Sequence, residues 1–273
     1  MKEIKEKLEN LKEYLNSLEN VAVAFSNGVD STFLLKTAHD VLGEKAVAIT
    51  LSSSVFPMKE TEQAKIFCRK EGIRHFICEW NPLQIEGFTD NPPDRCYNCK
   101  KDIFSQIIKF AKEKGITHVV EGSNMDDNGD YRPGLQAIRE LNVLSPLQVA
   151  ELTKAEIREL SREMELNTWD KPSKACLASR FAYGERITLE KLAMTEQAEQ
   201  VLIDLGYEQS RVRNHGEIAR IEILPEQIEH FVQYHKESIY KKFKEIGFLY
   251  VTLDLEGYRT GSMNERLGKD EIL

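Results

Sequence analysis

Val21-Ala22-Val23-Ala24-Phe25-Ser26-Asn27-Gly28-Val29-Asp30-Ser31 is the stretch whose reading decides the fold. Its first five residues are apolar, small or branched, as a parallel strand buried on both faces requires. A polar break follows at once, and Ser31 to Leu42 then reads as a helix. A strand that turns through a short loop into a helix aims backbone N–H groups and the positive helix end at whatever the loop holds. That is a natural seat for pyrophosphate. Ser26 and Ser31 add hydroxyl donors, Gly28 lets the main chain approach a phosphate closely, and Asn27 and Val29 complete the loop. Asp30 would repel a bare phosphate, so its sensible role is to hold Mg²⁺ bridging phosphate oxygens. The spacing and lysine of the Walker loop are absent. The plainer alternative, an ordinary strand-to-helix turn with a serine cap, gains nothing from the flanking elements.

Outward from this loop, apolar runs alternate with amphipathic stretches. Strands are predicted over Lys45–Leu51, His75–Trp80 and His118–Gly122, and helices over Lys59–Gly72 and Lys100–Gly115, each stopped by glycine. Such alternation implies an α/β fold, a doubly wound parallel sheet covered on both faces that binds nucleotides beyond the carboxyl ends of its strands. The pattern changes near Pro172. A helix over Leu189–Leu205, a strand-like RVRNHGEIARIEI, a helix from Pro225 to Ile246 and the strand FLYVTLDL indicate a smaller α+β domain. The expected division is therefore 1–172 and 173–273, with a polar, disordered tail after Gly257.

The chain has 273 residues, of which 41% are hydrophobic and 30% charged, with net charge -8. This suits a globular protein with a substantial core, and the acidic balance argues against nucleic acid as the main partner. No segment resembles a signal peptide and no apolar run approaches the roughly 20 residues that span a bilayer, so a cytoplasmic location without membrane contact is expected. In that reducing compartment the five cysteines are better read as metal ligands or reactive groups than as disulfides.

Two constellations carry further chemistry. Glu121 to Gly134 follows the fourth predicted strand and holds Asp126, Asp127 and Asp130, hard oxygen ligands suited to Mg²⁺. Asp127 is the candidate to share that ion with Asp30, and the competing reading is a solvated turn. Cys96 and Cys99 form a C-x-x-C in a loop expected just before a helix, and Cys176 lies far along the chain. Three thiolates could hold a [4Fe–4S] cluster with one iron lacking a protein ligand. Cys176 could instead act alone as nucleophile or sulfur carrier, its pKa lowered by Lys174 and Arg180. A structural zinc would need a fourth ligand. Cys68 and Cys78 read as small buried residues, and Trp80 and Tyr97 as packing rather than base-stacking aromatics.

The loop Ser26–Ser31 resembles the SGGxDS loop of the ATP pyrophosphatases, with Asn27 where that superfamily has glycine. Asparagine tolerates left-handed backbone angles, so the loop keeps its shape. Together with GSNMDDNGDYRPG, SPL at Ser145–Leu147, LTKAEIREL, WDKPSKACLASR and RVRNHGEIARIE, it makes the chain similar to the LarE family. That resemblance implies an ATP-dependent sulfur transferase, releasing pyrophosphate. It adenylates a carboxylate of pyridinium-3,5-dicarboxylic acid mononucleotide and replaces oxygen with sulfur, toward the nickel-pincer nucleotide cofactor.

It also implies that Cys176 handles sulfur. In one branch that cysteine surrenders its own sulfur and becomes dehydroalanine. In the other, which Cys96 and Cys99 resemble, three thiolates hold a [4Fe–4S] cluster. Arg211 and Arg213 match the segment implied to bind the substrate phosphate, and two residues apart on a strand they face one side. A hexamer, and sulfide or a sulfur-delivering protein as partner, are implied as well. The alternatives are a tRNA thiolase of the same superfamily, an ammonia-using amide synthetase, and a non-catalytic nucleotide or cluster sensor.

Overall fold

The structure, a computed structural model, describes residues 2–129, 133–172, 175–259 and 262–263. It comprises two compact units. The first contains Met1–Ser53, Met58–Asn81 and Cys96–Lys174; the second contains Ser54–Pro57, Pro82–Arg95 and Ala175–Leu273.

In the first unit the chain runs α1 (Lys2–Ser17), β1 (Val21–Ala24), α2 (Val29–Leu42), β2 (Ala46–Ser52), α3 (Met58–Glu71), β3 (Arg74–Glu79), α4 (Arg95–Glu113, whose first residue belongs to the second unit), β4 (His118–Val120), α5 (Pro133–Glu140), α6 (Pro146–Val149) and α7 (Lys154–Glu163). The four strands form one sheet in the order β3-β2-β1-β4. All neighbours are parallel, with Val23 opposite both Ala48 and Val120. The chain thus winds one way from β1 through β2 to β3 and then crosses back to add β4 on the far side of β1. That reversal opens a crevice beyond the carboxyl ends of β1 and β4, the usual ligand position in such sheets. β1 and β2 are buried along almost their whole length. This explains their uninterrupted small and branched residues, because helices cover both faces of a parallel sheet.

Leu11, Leu15, Phe33, Leu34, Leu35, Leu147, Leu152, Ile157 and Leu160 form the heart of this core. The leucines of α1 and the apolar face of α7 are therefore packed against the element that carries the loop. Among the described residues no helix is long and apolar enough to cross a membrane.

The second unit contains α8 (Leu189–Asp204), β5 (Arg211–His215), β6 (Ile218–Glu222), α9 (Ile228–Tyr234), α10 (Lys236–Ile246) and β7 (Tyr250–Leu253). Its sheet has the order β5-β6-β7, with β5 and β6 antiparallel and β6 and β7 parallel. Three expectations change here. RVRNHGEIARIEI is a hairpin of two strands rather than one, because Gly216 at φ 69 turns the chain and its N–H bonds the Asn214 side chain at 3.0 Å. The helix expected over Pro225–Ile246 is interrupted at His235 between α9 and α10. The polar segment after Gly257 is not all loose, since Tyr258 N–H bonds Ile223 O at 2.7 Å and Ser262 is buried.

One half-buried group in the first unit is sensitive to pH. Thr50 donates its hydroxyl proton to Phe25 O at 2.8 Å and receives His75 Nε2 at 2.8 Å, so the neutral imidazole must be the donor. Burial, with the charge of Lys65 adding to it, holds the His75 pKa below its ordinary value. The unfolded chain, with a histidine near ~6.5, therefore binds a proton that the native state resists. The contribution is complete above that value and is lost as pH falls through the native one. Urea unfolding between about pH 7 and 5.5 is expected to show a declining midpoint that flattens in His75→Gln. An unchanged slope in that variant would assign the decline to other groups.

Candidate functional site

The loop Ser26–Ser31 lies where β1 gives way to α2. Asn27 takes φ 57, the left-handed conformation that its amide side chain makes accessible. Gly28 stands at the N-cap of α2 in extended backbone, with no side-chain hydrogen bond closing the helix end. α7 shows the contrast, for there Thr153 and Glu156 form a reciprocal capping box. α2 thus begins without the side-chain cap that serves α7, beside two serine hydroxyls 3.0 Å apart. Its amino end provides main-chain donors and a positive dipole for an anion.

Residues distant in sequence hold the loop in this shape. Asn27 Nδ2 donates to Glu60 at 3.3 Å and to Gln63 at 3.2 Å, both on α3. Lys171 Nζ donates to Asn27 O at 2.9 Å, to Glu60 at 2.5 Å and to Gln63 at 3.2 Å. The backbone turn is therefore clamped through its own carbonyl and through its side chain. On the opposite flank, Asp30 forms an ion pair with Lys154 and accepts from Asn124 Nδ2 at 3.2 Å. The segment after β4 approaches closely enough that a Cβ on Gly122 would lie 3.0 Å from Ser31 N and 3.2 Å from Asp30 Cβ. Glycine at 122 is what allows the two strand ends to meet.

The acidic segment mostly serves that junction. One Asp127 oxygen accepts from Asn124 N–H at 2.9 Å, and Asp126 accepts from Lys154 N–H at 2.9 Å. Glu121 is buried and receives Ser123 N–H at 3.1 Å, Ser123 Oγ at 2.8 Å and Ser145 Oγ at 2.6 Å. Asp130 and Lys174 lie outside the described residues. Lys154, Lys171, Asn124 and Glu121 are residues that sequence reasoning does not single out. LTKAEIREL and WDKPSKACLASR stand out as motifs, yet only the folded chain gives their lysines a task.

The cysteines are distributed as follows. Cys68 is buried on α3, where loss of solvent pushes its thiol up to about 12, and Cys78 is half-buried on β3 with its thiol raised by the same cause. Both are packing residues. Cys96 and Cys99 are exposed and half-buried, and belong to the first turn of α4 rather than to a preceding loop. Arg95 N–H bonds Pro92 O at 3.0 Å, so the turn after the proline pair runs straight into the helix. Spacing of three on a helix puts both thiols on one face. Among the described residues, no group of three or more His, Cys, Asp or Glu side chains is placed to hold a metal ion. The indole of Trp80 donates to Asp102 at 2.6 Å and Tyr97 donates to Glu140 at 2.6 Å.

In the second unit, half-buried Cys176 precedes the short turn Leu177–Arg180. That turn is anchored by Leu177 N–H to Val55 O at 2.9 Å and by Arg95 to Ala178 O at 3.0 Å. Arg180 is buried and grips Glu199 with both ends of its guanidinium, at 2.6 and 3.1 Å. Burial works to lower its pKa, and Glu199 more than offsets this, so the net displacement is upward. Arg211 and Arg213 are both buried on one side of β5. Arg213 bonds Glu222 at 2.6 Å, Ser262 at 3.0 Å and Ser179 O at 3.1 Å, while its Nε is buried with no hydrogen-bond partner among the described residues. Burial, and next the charge of Arg180, lower the pKa of Arg211. Arg180, Arg211 and Arg213 are thus buried together with the carboxylates of Glu199 and Glu222, and guanidinium donors of this kind suit an anion.

A chain of similar length in Lactiplantibacillus plantarum, pyridinium-3,5-bisthiocarboxylic acid mononucleotide synthase, is 36% identical over 259 residues, covering 94% of each chain. This chain belongs to the LarE-like family of ATP pyrophosphatases. An uncharacterized Synechocystis protein is 44% identical over 267 residues, 97% of this chain and 100% of its own. A chain of the glutamine-hydrolyzing GMP synthase of Methanococcus maripaludis is 26% identical over 231 residues, 77% of this chain and 71% of its own. No family model matches the sequence. Membership makes the LarE-like chain an enzyme and implies ATP as its co-substrate.

Lys171→Met would remove the donor that binds the loop carbonyl and take from Glu60 its lysine cation. The expected outcome is a raised KM for ATP and a stability loss of about 1–3 kcal/mol, read by pyrophosphate release and urea unfolding. Wild-type KM with lowered stability alone would show that the clamp supports the fold and not the loop.

Proposed function

We propose that this LarE-like enzyme adenylates a carboxylate of a pyridinium dicarboxylate mononucleotide and then replaces the activated oxygen with sulfur, a cytoplasmic step toward the nickel-pincer nucleotide cofactor. The observation that carries the reading is the α2 amino end, which has no side-chain cap on Gly28 and lies beside Asp30 at the reversal point of the sheet. The 36% identity to a synthase of that thiocarboxylate nucleotide directs it toward sulfur.

In this reading the ATP phosphates rest on the loop Ser26, Asn27, Gly28, Val29, Asp30 and Ser31, through main-chain N–H groups at the start of α2 and both serine hydroxyls, with Ser26 N–H holding the Ser31 hydroxyl at 3.3 Å. Mg²⁺, which Asp30 and Asp127 would hold through hard carboxylate oxygens, supplies charge neutralisation to the phosphates. Lys154 offsets Asp30 before nucleotide arrives. The substrate carboxylate oxygen attacks the α phosphorus, and the bond to the bridging oxygen breaks to release pyrophosphate. Loop donors fixed beforehand stabilise the charge that develops on it. Sulfide then adds to the acyl carbon and the carbon–oxygen bond to AMP breaks, leaving a thiocarboxylate. Were the Cys176 thiolate the nucleophile, a thioester would form first, and loss of its Cα proton with cleavage of the Cβ–Sγ bond would free the thiocarboxylate and leave dehydroalanine. Arg211 and Arg213 take the phosphate of the mononucleotide, with Glu222 fixing the plane of Arg213.

Cys176 is the residue assigned to sulfur. Cys96 and Cys99, sharing one helix face, fit as two thiolate ligands of a [4Fe–4S] cluster whose third would be Cys176. Such a cluster, when bound, supplies an iron site that accepts sulfide. Sulfide, or a protein that delivers it, is the proposed partner, and the working assembly a homo-hexamer.

Asp30→Asn is expected to lower pyrophosphate release by about 10²-fold or more. Cys176→Ala is expected to keep pyrophosphate release and lose the thiocarboxylate. About four irons and four sulfides per chain in anaerobic wild type, lost in Cys99→Ala, would support the cluster. No iron after reconstitution, with the chain lighter by one hydrogen sulfide after turnover, would make Cys176 a sacrificial donor. Full thiocarboxylate formation by Cys176→Ala would refute the sulfur assignment.

A further inference from the structure

Gly257 and Tyr258 stand outside every residue assigned above, yet they border the arginine cluster of the second unit. Gly257 takes φ 73, and a Cβ there would lie 2.5 Å from Ile223 O and 3.2 Å from Pro225 N. No residue with a side chain fits that point without moving backbone. The turn is closed by Gly257 N–H to Asp254 O at 3.2 Å and Tyr258 N–H to Ile223 O at 2.7 Å. The constraint therefore fixes where the chain leaves β7 and where the Tyr258 ring lies.

That ring lies against Arg211, with 5.1 Å from the guanidinium carbon to the ring centroid. The three guanidiniums are supported differently. Arg180 is gripped by Glu199 and Arg213 by Glu222, each through charge-assisted hydrogen bonds. Arg211 donates to Ser210 O at 2.6 Å and lies against an aromatic ring. A ring restrains a guanidinium plane without neutralising its charge, because the attraction is to the π face.

We propose that Tyr258 is a positioning residue for anion binding. Its ring holds the Arg211 guanidinium in the orientation that receives the phosphate of a mononucleotide substrate, and Gly257 is the backbone device that sets the ring there. The inference rests on the reading of Arg211 as a phosphate ligand. It adds that part of the affinity of this arginine is stored in an aromatic contact. Preorganisation of a long side chain is the physical gain, since a guanidinium fixed beforehand loses little freedom on binding.

The test measures calorimetric binding of pyridinium-3,5-dicarboxylic acid mononucleotide to the full chain, together with the KM and kcat of pyrophosphate release. Wild type, Arg211→Ala, Tyr258→Phe, Tyr258→Leu and Gly257→Ala are compared, with circular dichroism and ATP affinity as controls of folding. Tyr258→Leu is expected to bind the mononucleotide roughly ten-fold more weakly, as loss of a partly desolvated cation–π contact implies. Its KM should rise while kcat and the KM for ATP hold. Tyr258→Phe keeps the ring and should behave as wild type, and Gly257→Ala should resemble Tyr258→Leu.

A folded Tyr258→Leu that binds as wild type, while Arg211→Ala does not, overturns the inference and leaves the anion site standing. Tyr258→Phe as weak as Tyr258→Leu also overturns it, since the hydroxyl and not the ring face would then matter. If Tyr258→Leu fails to fold, Gly257→Ala decides in its place. Arg211→Ala with wild-type affinity refutes the phosphate assignment itself, and the inference with it.

Discussion

Much of the first unit depends on the left-handed turn at Asn27, where a buried parallel strand becomes a helix within a few residues. The turn brings the amino end of α2 to the carboxyl edge of the sheet, with Gly28 as a cap that offers no side-chain acceptor. Such a helix end favours an anion, and a loop that leaves it so cannot also be held by its own side-chain caps. The surrounding structure takes over that task. α3 supplies Glu60 and Gln63, Lys171 reaches back to the Asn27 carbonyl, and Lys154 and Asn124 bracket Asp30. The polar groups that hold the loop are thus mostly distant in sequence.

The second unit handles charge by a different arrangement. Burying three arginines within one cluster would be prohibitive without counter-charge, because each desolvated guanidinium costs several kcal/mol. Glu199 and Glu222 provide it, one from α8 and one from β6. They also hold backbone and tail in place, since Glu199 accepts Val212 N–H at 3.1 Å and Glu222 receives Ser262 at 3.0 Å. The Cys176 segment is tied into this network through Ser179 and Arg180. The buried arginines and the backbone around Cys176 thus belong to one hydrogen-bonded framework.

The sequence is most legible where the physics is local. Alternation of buried strands with amphipathic helices marks a parallel sheet because each element must hide one face. RVRNHGEIARIEI reads as one strand in sequence and folds as a hairpin, since a lone glycine at 216 is an ambiguous turn signal. The C-x-x-C reads as loop because the polar run CYNCKKD hides the period of α4, whose buried apolar residues begin only at Phe104 and Ile107. Glu199, Glu222 and Tyr258 leave no local trace at all. An acidic residue in an ordinary helix, another at a strand end and a tyrosine in a polar tail are each common surface features.

By itself, then, the sequence determined the strand–loop–helix element and the α/β architecture around it. These follow from spacing along the chain, where periodicity and backbone preference act over a few residues. The tertiary structure alone decided what grips the loop, which carboxylate answers which arginine, and where the Tyr258 ring lies. Those pairings join residues tens of positions apart, and their energies come from burial and from geometry that only the closed fold creates.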